Sequence, residues 1–456
     1  MIPSPELSPD RIIFFTYYPS RIYLMHSHHI RGSIGLLLLV FISFSPISGD
    51  LTGSLDITFN SPNGYALWHT ANASQDRNLE MAIQQDGRIL VGGYTNDTNQ
   101  KDIQLLRYHP NGTPDLSFGQ DGQMLFSGGA GRDDYAFGIT LDPAENILVA
   151  GREHNGHDTD MILFRCKPDG TPDITFGDNG TVTYAGSGSG TDSGRGVVVQ
   201  KDGGIVICGE VNSSSHKELT VLRYTPNGTP DKTFGNAGVF TLGTPGGKES
   251  YGFATALDPE NRILVTGGIA VDGKEKIGLV RLQENGTLDT SFGTQGVAFW
   301  NGSETGPDYG NWVSITQEGK ILVTGVETDS SGSFDIAVLR YNTDGTLDTA
   351  FGGDGVARFG KSGYDYAWGQ TTMADGRIVI AGTSMVNGLA SPVFIRFTPD
   401  GKPDPSFGTN GLTSFETIGI GPLYAVHVDN EGNLLASGYI TEDGTDLGLL
   451  LRMDQV

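Results

Sequence analysis

Positive charge is scarce in this chain. Its 456 residues carry 29 Lys and Arg against 53 Asp and Glu, a formal net charge of −24. Such a balance argues against nucleic acid and against anionic membrane surfaces as partners. Cysteine is scarcer still: two residues, Cys166 and Cys208, cannot build a disulfide framework. Beyond residue 54 there is no long apolar run and no sustained 3.6-residue apolar period, so no helix of consequence is expected. The chain also lacks H-E-x-x-H, G-x-S-x-G, P-loop, CxxC and EF-hand patterns, which removes the commonest motif-borne chemistries.

What the chain has in excess is glycine, 67 residues, and a phrase that returns at near-constant spacing. The phrase is a hydrophobic pair, Arg, a turn, Asp and Phe-Gly. It reads LLRYHPNGTPDLSFG from Leu105, LFRCKPDGTPDITFG from Leu163 and VLRYTPNGTPDKTFG from Val221. It recurs from Leu279, Val338 and Phe394. The Phe residues fall at Phe118, Phe176, Phe234, Phe292, Phe351 and Phe407, with spacings of 58, 58, 58, 59 and 56. A period this regular marks a repeat architecture in which each copy is one supersecondary unit.

A seventh copy is divided between the two ends. LLLRMDQV, from Leu449, keeps the Arg but has no turn and no Phe-Gly; LDITFNSPNGYALW, from Leu55, keeps Asp56 and Phe59 but has no Arg before them. A linear solenoid caps each end separately. A ring closes by letting one end complete the other, which removes free sheet edges.

Within one copy four short strands alternate with Gly, Asp, Asn and Pro: AFGITLDP from Ala136, ILVAGRE from Ile147, MILFRC from Met161 and GTVTY from Gly180. Dipeptides such as Asp86-Gly87 and Asp202-Gly203 suit the tight turns between them. The second strand is apolar throughout, which predicts burial on both faces. It ends in a small residue (Gly92, Ala150, Cys208, Thr266, Thr324, Ala381, Ser437) followed by Gly, a pattern expected to let sheets approach closely. The expected fold is all-β: a seven-bladed β-propeller of four-stranded antiparallel blades over residues 55–456, its ring closed by an N-terminal strand that completes the last blade. Cys166 stands where other copies have Tyr, and Cys208 takes the small-residue place, so both are expected in the core.

Residues 1–54 stand outside the repeat. The apolar run over about 35–49 follows Arg31 and ends in small residues, the layout of a cleaved secretory signal. Met25 is an equally workable start, and a retained anchor is the alternative to cleavage. No Cys follows the run, so lipid anchoring is not expected.

The phrase resembles the delta-60 repeat of bacterial secreted and surface proteins, and the resemblance spans residues 55–456. It implies a β-propeller and a secreted, extracellular location. It implies no activity, substrate or catalytic residue.

Candidate functional residues fall into two sets. The Arg and Asp of each phrase are expected to form structural clamps: Arg107 with Asp115, Arg165 with Asp173, Arg223 with Asp231, Arg281 with Asp289, Arg340 with Asp348, Arg396 with Asp404, and Arg452 with Asp56. Contacts repeated in every copy belong to a frame, whereas an anion-binding ring is the rival reading. The second set stands where each copy begins its first, innermost strand: Asp134, Tyr135, Tyr251, Asp308, Tyr309, Asp365, Tyr366 and Tyr424. These are candidate binding residues at the rim of a central channel, with Asp134, Asp308 and Asp365 as oxygen ligands of a weak Ca²⁺ site. Their alternative roles are turn capping for Asp and packing for Tyr. Trp312 and Trp368, nearby, offer a stacking surface or core filling. No cofactor is required by any of this.

The expected function is that of a monomeric, non-enzymatic binding or scaffold module for an unidentified protein or polysaccharide. Long loops between the second and third strands differ in every copy, and variable loops on a rigid frame are where specificity usually resides. An extracellular lyase or hydrolase acting in the channel is the alternative.

Overall fold

The computed structural model describes residues 55–454 apart from the short segments 98–99, 129–131, 214–215, 244–247, 303–305, 361–362, 387–388 and 416–419. The expected leader and its apolar run lie outside the described residues. Among the described residues there are 28 strands and no α-helix.

Five copies each form a separate four-stranded antiparallel sheet with strands in sequence order. The copy over residues 135–184 shows the pattern: Tyr135–Leu141, Ile147–His154, Thr159–Cys166 and Thr181–Tyr184. These are the four segments read from the sequence. The remaining strands share one eight-stranded sheet. In it the divided copy is assembled: Tyr65–Trp68 pairs antiparallel with Thr445–Met453, which pairs with Leu434–Glu442 and that in turn with Ile420–Val428. A single parallel pair, Gln75 with Asp446, joins this set to the next copy.

The second strands are buried along most of their length, as in Ile89–Asn96 and Ile321–Thr328. Their side chains pack against the neighbouring copy on each side. Leu322 lies in one cluster with Ile380 and Ile395 of the following copy, while Ile321 and Val323 lie in another with Leu264 and Leu279 of the preceding one. Continuous apolar character is therefore explained by burial on both faces. First strands pack on first strands from copy to copy, and Ile420–Val428 packs on Gln75–Ile83. Cys166 and Cys208 are both free and buried, and burial pushes each thiol up to about 12.

Two features depart from the sequence reading. The segments read as long loops between second and third strands are mostly hairpin. Ile269, Ala270 and Val271 pair with Lys276, Glu275 and Lys274 around Asp272-Gly273, both at positive φ. These segments differ from copy to copy and end in Gly, Asp, Asn or Ser turns, as in Asp272-Gly273, which read as loop and hid the pairing. The glycine after the small residue has a within-sheet cause. A Cβ on Gly151 would stand 2.0 Å from the carbonyl oxygen of Tyr135, and one on Gly267 1.8 Å from that of Tyr251. The same contact recurs at Gly93, Gly209, Gly325 and Gly382. It arises because the first strand carries a β-bulge there, as between Ala136 and Gly138 and between Gly310 and Trp312.

Candidate functional site

The Arg of each phrase builds the frame. Arg281 Nε donates to Asp289 Oδ2 at 2.8 Å, and its guanidinium lies 4.3 Å from the centre of the Phe292 ring. Asp289 Oδ1 accepts from the backbone N–H and the hydroxyl of Ser291. Arg281 Nη1 then donates to the carbonyl of Thr343 in the following copy, at 2.5 Å. Arg165 and Arg340 reach Pro226 and Pro399 in the same way, at 2.6 Å each. Arg107 reaches Pro168. The turn glycine of one copy sits on the Phe of the copy before: a Cβ on Gly286 would meet Phe234 Cε2 at 2.7 Å. Each phrase thus ties its own hairpin and grips its neighbour. Arg223 departs from the pattern, donating from Nε to Gln200 Oε1 while Nη1 serves Asp231. The pairing lowers the carboxyl pKa throughout; Asp115 falls to about 2 under its bonds with Ser117 and Arg107, against opposing burial.

The Asp residues at the start of the first strands do not come together. Asp134, Asp308 and Asp365 are 0–1% exposed and stand just before the first strands of three different sheets. Asp134 accepts from the backbone N–H of Gly128 at 2.7 Å and of His154 at 2.9 Å. Asp308 accepts from Gly302 and Thr328, Asp192 from Gly186 and Asn212, and Asp365 from Met385. Asp134, Asp192 and Asp308 each tie the loop before the strand to the neighbouring hairpin, and Asp365 holds the equivalent hairpin through Met385. Burial raises the carboxyls of Asp134, Asp192 and Asp308 even against these bonds. Among the described residues no three His, Cys, Asp or Glu are grouped to hold a metal ion. The geometry at these positions fits capping rather than a shared cation site.

The tyrosines split by copy. Tyr135 receives Lys101 Nζ at 2.8 Å on its hydroxyl and donates to Asp133. Tyr251, 1% exposed, donates to Glu249, and Tyr309 donates to Glu275 at 2.5 Å. Glu249 and Glu275, with Lys248, Lys274 and Pro307, line a cleft of about 370 Å³. Tyr366 stacks on Trp368 at 5.8 Å, and Trp368 meets Tyr424 edge-on at 5.5 Å.

Two rows of variable residues escaped the sequence reading as rows, although Trp368 and Tyr424 were singled out there, Tyr424 at the place of Tyr135 rather than at the bulge where it stands. One is the bulge position of the first strands: Leu79, Phe137, Arg195, Asn311, Trp368 and Tyr424, with Phe253 in the equivalent place. The other follows the bulge glycine on the second strand: Tyr94, Arg152, Glu210, Gly268, Val326 and Thr383. Rings and guanidinium groups from both rows touch across copies. Arg195 lies 4.5 Å from the Phe137 ring centre and 5.7 Å from that of Phe253. Beside the rows, Arg77, which takes the place of Tyr135 in its copy, lies 4.2 Å from the ring centre of Tyr439, the residue after Gly438. The available signal was the variability itself, at fixed offsets from the Tyr and from the Gly.

Comparison with solved structures places this architecture among known folds. Semaphorin 2a of Drosophila aligns over 86% of this chain and 75% of its own, with a TM-score of 0.50 at 8% identity; that likeness bears on the fold alone. A protein of unknown function from Dyadobacter fermentans aligns over 86% of this chain and 100% of its own, at 13% identity and a TM-score of 0.44. A Trypanosoma rangeli sialidase aligns over 86% and 57%, at 11% identity and a TM-score of 0.40. No curated protein matches the chain significantly. Residues 84–118, 200–234, 259–292, 318–351 and 374–407 match the family described as "Domain of unknown function (DUF5122) beta-propeller". Five copies of the phrase therefore carry the repeat of a β-propeller family of unknown function.

Proposed function

We propose that this chain is a secreted or cell-surface β-propeller of the delta-60 type, with seven blades closed into a ring, acting as a non-enzymatic binding or scaffold module. Support for seven blades comes from six copies in series plus one assembled from both termini. Support for closure comes from the packing of Ile420–Val428 on Gln75–Ile83. The observation that carries the functional reading is the contrast between frame and face. The clamps and bulge glycines repeat from copy to copy, whereas the bulge row reads Leu, Phe, Arg, Phe, Asn, Trp, Tyr. Constant scaffold with variable side chains on the innermost strands is the design of a recognition surface.

The test is a thermal-shift screen of the protein against polysaccharides and proteins of the same cell surface, since a ligand of the folded state raises Tm by mass action. A ligand whose effect vanishes on Trp368→Ala supports the reading. Ligands unaffected by any bulge-row substitution would overturn it.

One observation favours the rival enzyme. The cleft over Tyr251 and Tyr309 presents two carboxylates, each receiving a phenolic O–H, beside Lys248 and Lys274. Burial raises the Glu275 carboxyl, and Glu249 adds to it, the condition of a general acid. Turnover of a polysaccharide abolished by Glu275→Gln would establish that reading.

A further inference from the structure

Arg152 is a cation without a counter-ion. It is paired in register with Tyr135, and its guanidinium lies 4.4 Å from the Tyr135 ring centre and 5.7 Å from that of Phe137. Among the described residues it makes no ion pair, and its Nε has no hydrogen-bond acceptor. Every Arg of the clamps, by contrast, has a carboxylate. A largely buried charge without a partner is costly and is normally neutralised.

A second cation makes the position worse. Arg195 lies 4.5 Å from the Phe137 ring centre, and its charge depresses the pKa of Arg152, after burial. The carboxylate whose field reaches both is Glu210, 0% exposed. Both of its oxygens accept from Arg195: Nε at 3.3 Å to each, and Nη2 at 2.9 Å to Oε1. Glu210 is thus engaged by Arg195 and makes no ion pair with Arg152, whose charge is left without a bonded carboxylate. In a chain of net charge −24 this unpaired charge is local and specific. Arg152, Arg195 and Phe137 all keep partial exposure.

We infer that Arg152 is an anion subsite, completed by the carboxylate of a ligand that lies along the bulge row. A planar guanidinium accepts a carboxylate in two parallel N–H···O bonds. The same row offers the partly exposed rings of Phe137, Phe253 and Trp368, flat apolar faces suited to sugar rings. The ligand class is therefore a carboxylated saccharide, a polymer of uronic acid units. The inference rests on the proposed binding function and narrows it.

The experiment is isothermal titration with a tri-uronide and with its methyl ester, which removes the charge and keeps the rings. The acid is expected to bind about tenfold tighter than the ester, the worth of one good charged contact. Arg152→Gln is expected to erase that difference, while Lys232→Gln, on an exposed turn, leaves it intact. A second readout needs no ligand: Arg152→Gln relieves an unpaired cation, so its Tm should equal or exceed the parent's, whereas Arg195→Gln strands Glu210 and should lower it. Equal binding of acid and ester overturns the inference. So does undiminished preference in Arg152→Gln, a lowered Tm in that variant, or tighter binding of an acidic peptide than of the tri-uronide. Cleavage of the tri-uronide during titration would sink the non-enzymatic reading while leaving the anion subsite standing.

Discussion

The side chain of Arg452 donates from Nε to Oδ2 of Asp56 at 2.7 Å, across 396 positions of sequence. Around this pair the divided copy reproduces what the intact copies do. Arg452 lies 4.9 Å from the Phe59 ring centre, as Arg107 lies 4.7 Å from that of Phe118. Its Nη1 reaches the carbonyl of Pro110 at 3.1 Å. A contact that elsewhere is local has here become the tie between the ends.

Breaking that tie should be costly. Asp56→Ala leaves the buried Arg452 guanidinium with its longer contact to Asp429, at 3.4 Å, and the loss expected is about 1–3 kcal/mol. Removing residues 448–456 takes away the whole partner of Tyr65–Trp68 and should leave an exposed strand edge that associates. Urea melts and light scattering check both. A monomeric, equally stable truncation would show that the terminal pairing contributes nothing.

The turn glycines answer two demands that can be separated. Gly444 has φ +82° with nothing near a Cβ, whereas Gly286 has φ +79° with the Phe234 ring 2.7 Å away. Gly444→Ala should cost about 1 kcal/mol, the strain of a left-handed residue alone. Gly286→Ala should cost clearly more, because the ring must also move. Equal losses in denaturant titration would mean that the Phe yields freely.

Stability should peak at mildly acidic pH. Glu153 is raised to about 7 by burial and by its neighbours Asp134 and Asp160, and Asp335 to about 6 by burial, Asp329 and Asp365. The folded state holds these protons more tightly than the unfolded one. Stability therefore grows as pH falls from about 7 toward the ordinary carboxylate range. The clamp carboxylates act in the opposite sense. Their folded pKa values lie below the ordinary value, Asp115 at about 2, so their contribution is lost as pH falls below about 4. Melting curves across pH should rise from 8 to 5 and drop below 4, and Glu153→Gln should flatten the upper arm. A monotonic rise of Tm from pH 5 to 8 would contradict this.

The buried Asp braces should matter without any metal. Asp134→Asn turns one amide-accepting oxygen into a donor facing a backbone N–H, at a cost of about 1–3 kcal/mol. The loss should be the same with calcium and with chelator. A loss seen with calcium alone would restore a cation role for Asp134, Asp308 and Asp365.

Much of the frame was legible because it is written several times over. Repetition separated signal from accident: the Arg, Asp, Phe and Gly of the phrase could be assigned to structure before any coordinate. The divided copy gave away the terminal pairing for the same reason. What repetition hides is the opposite class of residue. Arg152, Glu210 and Phe137 occupy positions with no consensus, and their meeting depends on a bulge that turns one extra side chain of each first strand out of the ladder. The sequence shows the bulge only through the Gly that makes room for it, and that Gly also reads as a place of close sheet approach. The hairpins read as loops were missed because their residues differ from copy to copy and carry no shared strand pattern, although Ile269 and Ala270 are buried.

The hand-off from Arg281 to Thr343 runs one way, from each copy to its successor, and Arg452 makes it to Pro110. Because Tyr65–Trp68 completes the sheet of Thr445–Met453, one structural unit is drawn from two distant parts of the sequence, and its contacts match those of units that are continuous. Five seams share this contact, with Arg107, Arg165, Arg281, Arg340 and Arg452 each donating to a turn carbonyl of another copy. The frame thereby leaves its inner row free to change one side chain at a time.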